Sequence, residues 1–235
     1  MTESSSAFVV QFDQAEQINT NKLQGVLAKM THEMAEPLSA IESIAYYLRM
    51  VLPKEDERTQ QQLERIGELV GAMNGTLSDA LQYFRQSPLD PQILDLHAML
   101  REAVAERTSD MRPLLQLEIA GEPLLIRVDA GQGRHLLRSM FSLFRGLANR
   151  CDEVRVRTAT DASLVTLEFT AVRLDATRAE VEAMFEPFGR GFSAGAGLAL
   201  ASARRIFESN GGRISARSDN GRDLSLRGAF PRAAC

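Results

Sequence analysis

The sequence has no tryptophan, two cysteines, three histidines and no excess of basic residues, and each shortage removes a class of function. Cys151 and Cys235 are too few and too far apart for a disulfide framework or a thiolate metal site. His32, His97 and His135 do not make a multi-histidine metal centre, so no metal is expected. Lys and Arg total 27 against 31 Asp and Glu, a net charge of −4, which leaves no basic footprint for nucleic acid. No apolar run approaches the roughly 20 residues that span a bilayer. The start, MTESSSAFVVQFDQ, lacks the basic lead and long apolar stretch of a signal peptide. Those two absences lead us to expect a cytoplasmic protein without membrane insertion.

What remains is globular: 235 residues, 44% hydrophobic and 25% charged, enough for one large or two small domains. The chain changes character near Gln86-Ser-Pro-Leu-Asp-Pro91. Residues 1–88 hold seven Lys or Arg against twelve Asp or Glu and only four of the 16 glycines, so loops concentrate in the second part. Residues 1–14 read as a flexible lead, 15–88 as helical, and 89–235 as mixed α and β.

Apolar residues at 63, 66, 70, 73, 77, 80 and 84 keep spacings of three and four, which predicts a long amphipathic helix. Leu27, Met30, Met34, Ile41, Ile44 and Leu48 predict a similar seam over about 15–51, and Pro53-Lys-Glu-Asp56 a turn between the two. Two long helices and a short turn make an antiparallel hairpin, which buries one stripe per helix. Pairing with a second copy as a four-helix bundle supplies a fuller core, so a homodimer is expected. Beyond Pro91 the pattern predicts helices near 97–111 and 132–149, and strands over 114–120, 124–128, 154–158 and 164–169. Two short helices and strands over 213–217 and 224–230 follow. Strands interleaved with helices imply a two-layer α/β sandwich, and the whole an α+β protein. His97 and His135 fall on predicted helices and read as surface or capping residues.

The most informative string is Thr31-His-Glu-Met-Ala-Glu-Pro-Leu38. At 100° per residue His32 lies off the apolar seam, on a stripe with Glu36, Ser39, Ser43, Tyr46 and Met50, so its imidazole is available to react. Pro37 removes a helical donor and clashes with the carbonyl of residue 33, which predicts a kink beside the histidine. Glu33 can hydrogen-bond one ring nitrogen and raise the nucleophilicity of the other. Tyr46, Tyr47 and Met50 are candidates to dock a partner domain, together with Glu36, Ser39 and Ser43. Gly191-Phe-Ser-Ala-Gly195 fits a nucleophile elbow around Ser193, but that fold needs a histidine later in the chain and the last is His135.

The His32-Glu33-Met34-Ala35-Glu36-Pro37-Leu38 string resembles the H-box of two-component sensor histidine kinases, His-Glu, two variable residues, Thr or Asn, then Pro-Leu. Phe185-Glu-Pro-Phe188 is similar to that family's F-box, and Gly195-Ala-Gly-Leu-Ala-Leu200, with Gly197 and Leu198, to its second glycine box. Gly211 to Ser218 and Gly228 to Pro231 match its closing strands, so the resemblance covers roughly residues 20–231. It implies a dimerisation and phosphotransfer hairpin followed by an ATP-binding domain of the GHKL or Bergerat type. His32 would be the phospho-acceptor and Glu33 the acid-base or orienting residue. Glu36 stands where the family has the Thr or Asn that positions water, so phosphatase action is not expected.

Aligned on the family, Ser139 and Leu143 stand where two asparagines belong, the second of them a Mg²⁺ ligand. The Asp-x-Gly-x-Gly box becomes Ala171-Val-Arg-Leu-Asp175, without its aspartate or its glycines. Phe185, Phe188, Gly195, Gly197 and Leu198 are then vestiges of a nucleotide site, and no cofactor is expected. The expectation is a histidine phosphotransfer protein, exchanging a phosphoryl group between His32 and response-regulator receiver domains. The alternative is an active kinase that phosphorylates His32 from ATP and Mg²⁺. A second alternative is a scaffold that binds a response regulator without transferring anything.

Overall fold

A computed structural model describes residues 3–85, 89–107, 115–119, 121–187, 196–219 and 222–233, with side chains from residue 25 onward. The chain divides into two units, Met1–Ser87 and Pro88–Cys235.

The first unit is two helices, α1 (Glu3–Val51) and α2 (Glu57–Phe84). With no glycine before Gly25 and no proline before Pro37, nothing in the sequence stops α1 near its start. It accordingly takes in residues 3–14, which composition reads as a flexible lead. The helix also runs on through Pro37. Pro53 ends the first run, and Asp56 starts the second by accepting a hydrogen bond from the Thr59 amide at 3.1 Å. Those bonds to Thr59 hold the Asp56 carboxyl below its ordinary range.

Within one hairpin the buried apolar residues are Leu38 and Ala45 on α1 and Leu63 and Val70 on α2. Leu27 and Leu48 are half-buried. Met30, Met34, Ile41 and Ile44 on α1, and Ile66 and Met73 on α2, are exposed, although spacing alone assigns them to the same seam. The reason is geometric: spacings of three and four along a long helix trace two neighbouring stripes, and a single partner helix covers only one.

The second unit is built on two sheets. A two-stranded antiparallel sheet pairs β1 (Pro91–Asp95) with β3 (Leu125–Asp129). The five-stranded sheet has the order β2-β4-β5-β7-β6, from β2 (Leu115–Glu118), β4 (Glu153–Thr160), β5 (Leu164–Val172), β7 (Asp223–Pro231) and β6 (Arg213–Asp219). Among the described residues only the β2–β4 pairing is parallel. The helices are α3 (Leu96–Arg107), α4 (Ala130–Leu147), α5 (Arg178–Ala183) and α6 (Ala196–Ser209). α3 packs on α4 and α4 on α6, giving a helical layer over the sheet.

Strict alternation of buried and half-buried residues along β5 marks one face turned to the core. Phe169 on that face packs its ring 5.3 Å from both Phe141 and Phe144 of α4. On the open face, strand register sets Glu118, Arg157, Glu168 and Arg227 side by side across four strands, a row of alternating charge. Arg157 and Glu118 close it with a bond of 2.6 Å.

Sequence reading has no strand at β1, because Pro88 and Pro91 read as linker. Pro91 is tolerated as the first residue of a two-stranded edge, where its missing donor costs little. His97 is also corrected: it is buried on α3, its Nε2 2.9 Å from the Thr158 hydroxyl, not on the surface. His135 is half-buried on α4, 3.3 Å from the Ser139 hydroxyl. Cys151 is free and buried, and burial pushes its thiol up. Among the described residues no helix is long and apolar enough to cross a membrane.

Candidate functional site

α1 carries the first candidate. His32 is exposed in mid-helix, and Glu36, Ser39, Ser43, Tyr46, Tyr47 and Met50 are exposed along the adjoining surface. Pro37 has no amide hydrogen to return to the carbonyl of Glu33. The Glu33 carboxylate does not sit on the ring. It lies 3.8 Å from Lys29 Nζ, one turn back, because neighbours in a helix diverge by 100° whereas residues four apart share a face. Lys29 is the residue that sequence reading passed over, and the spacing Lys-x-x-x-Glu was the signal for it.

The second unit holds the residues aligned with a nucleotide site. Asp129 caps α4, accepting from the Gln132 amide at 2.9 Å. Ser139 and Leu143, further along α4, are both buried, and Ser139 is occupied with His135. Ala171 is fully buried near the end of β5. Two residues on, Arg173 has φ 57°, a left-handed backbone that favours glycine. Leu174, Met184 and Phe185 close over the same core, in one apolar cluster with Leu143, Ala171, Ala196 and Leu200. Arg204 of α6 lies 4.4 Å above the Phe185 ring. Gly197 and Leu198 are buried in the first turn of α6. Phe188, Gly195 and the Gly191–Gly195 elbow with Ser193 lie outside the described residues.

Two curated proteins align with most of the chain. The sensor histidine kinase ZraS of Klebsiella oxytoca is 26% identical over 201 residues, 83% of this chain. The sensor protein kinase PilS of Pseudomonas aeruginosa is 27% identical over 232 residues, 93% of this chain. The chain is a relative of the sensor histidine kinases. It spans 43% of the length of either protein. No family model matches it. The fold agrees with solved histidine kinases. Full-length ShkA, crystallised with AMPPNP, superposes with a TM-score of 0.63 at 17% identity, covering 89% of this chain and 46% of that one. Acinetobacter baumannii AdeS gives 0.55 at 15% identity, covering 86% and 98%. A helical pair followed by a GHKL-type α/β domain is thus the architecture of this kinase relative.

At the two positions aligned with that family's adenine and magnesium residues, the side chains do not match what those groups need. An adenine reader needs a carboxylate and a magnesium ion needs an oxygen ligand, and Ala171 and Leu143 offer neither. Arg173, aligned with the first glycine of the family's Asp-x-Gly-x-Gly box, has a left-handed φ of 57°.

Proposed function

We propose that the chain is a histidine phosphotransfer protein of a two-component relay, with His32 as the carrier. The observation behind this reading is the contrast between an exposed His32 and the buried, apolar Leu143 and Ala171 where a nucleotide would be read. An unprotonated ring nitrogen attacks the phosphorus of a receiver's aspartyl phosphate. The P–O bond breaks, the carboxylate leaves with the electron pair, and a P–N bond forms. The proton on the other ring nitrogen passes to water. The reverse reaction on a second receiver completes the relay. Tyr46, Tyr47 and Met50, with Glu36, Ser39 and Ser43, supply the exposed surface on which a receiver would sit.

The protein acts as a homodimer in this proposal. Met30, Met34, Ile41, Ile44, Ile66 and Met73 form an exposed apolar stripe on the hairpin, and a second hairpin covering it would complete a four-helix bundle. The test is transfer from receiver domains carrying ³²P on their aspartate. Label should move to the wild-type chain and not to His32→Ala. Equal labelling of both, or of neither, would contradict the proposal.

A further inference from the structure

His32 sits among one cation and two carboxylates. Lys29 is three residues before it and Glu36 four after it, so both flank the ring on one helical face, with neighbouring Cβ atoms about 5–6 Å apart. At rest Lys29 is held by Glu33, but loosely: the separation is 3.8 Å and the two side chains are 79% and 64% exposed. An exposed pair of this length is readily exchanged for a better one. A phosphoryl group on His32 is a better one, since it carries nearly two negative charges and three acceptor oxygens where Glu33 carries one charge. Glu33 and Glu36 both repel that group, so the only attraction available within one turn of α1 comes from Lys29.

Resting on the phosphotransfer reading above, we propose that Lys29 is the cation that holds the phosphoryl group on His32, leaving Glu33 when the group arrives. The exchange frees the Glu33 carboxylate as the histidine changes state.

The test uses phosphoramidate to phosphorylate the purified chain, with His32→Ala as the control for position, and ³¹P NMR to titrate the bound phosphoryl group. An ammonium beside it lowers its proton affinity, so Lys29→Met should bind the phosphoryl proton about three- to tenfold more tightly than wild type. Lys29→Arg should restore the wild-type titration. The difference should shrink in about 1 M salt, where screening acts within about 3 Å. A merely structural lysine would produce none of these shifts. Identical titrations of wild type and Lys29→Met would overturn the assignment of Lys29 while leaving phosphotransfer intact. A wild-type chain that gives no His32-dependent phosphorus signal would overturn the phosphotransfer reading, and the role of Lys29 with it.

Discussion

Replacing Ala171 by Asp puts back the carboxylate that the kinase family uses to read adenine, and the structure says what it should cost. Ala171 is fully buried, and its neighbours in register are Val154 on β4 and Leu224 on β7, also fully buried. A carboxyl forced into that packing loses its hydration for about 1–3 kcal/mol even when neutral, and more when charged. Its extra atoms add about 1–3 kcal/mol of overpacking. The expected loss is about 2–6 kcal/mol at pH 7. With a urea slope near 2 kcal/mol/M, the unfolding midpoint should fall by about 2 M. Burial raises the native pKa of the new group above its unfolded value. The penalty is therefore smallest below about pH 4 and grows as pH rises through the native value. Urea unfolding of both proteins at pH 4 and pH 7 checks magnitude and sign together. A variant as stable as wild type at pH 7 would mean that position 171 opens onto a polar pocket, and the reasoning from its burial would fail.

Phe169→Ala removes a ring that packs on Phe141 and Phe144, and should cost about 3–5 kcal/mol by the same unfolding measurement. Asp161 accepts hydrogen bonds from the Ser163 and Leu164 amides at 2.8 Å each, which holds its carboxyl below the ordinary 3.8. Its support for the β4–β5 turn is therefore present above pH 4 and lost as pH falls through its native value. NMR shifts of those two amides should report a midpoint below 3.8. Ile44→Glu with Met73→Glu places charges on the exposed hairpin stripe. Sedimentation should find a wild-type dimer and a monomeric variant, and an unchanged mass would remove the four-helix bundle.

Much of the fold could be read from the sequence, because long periodic segments carry redundant signals. α2 announces itself through seven apolar positions, β5 through alternation that the structure reproduces residue by residue, and β7 through alternation that holds until Gly228, Ala229 and Phe230 are buried in a row. The failures have local causes. β1 is short, pairs with a strand 30 residues away and begins on a proline, so nothing nearby marks it. His97 is drawn inside by the Thr158 hydroxyl, a partner 61 residues distant that no helical phase could supply. The division of α1 into a covered stripe and an exposed one depends on how many partner helices are present, which periodicity does not encode. At the candidate site the string around His32 was legible because its chemistry is compressed into seven residues. Lys29 was not, because its meaning depends on Glu33 turning toward it and away from the ring. The left-handed Arg173 was hidden for a similar reason: glycine advertises such a turn, and here an arginine adopts it.

The central claim is that phosphate reaches His32 without a nucleotide bound to this chain, and calorimetry with ATP and Mg²⁺ on the purified protein tests it most directly. With Leu143 and Ala171 buried where oxygen ligands would be needed, the account predicts no heat of binding up to millimolar ATP. A micromolar dissociation constant would contradict it and favour phosphorylation of His32 from ATP instead.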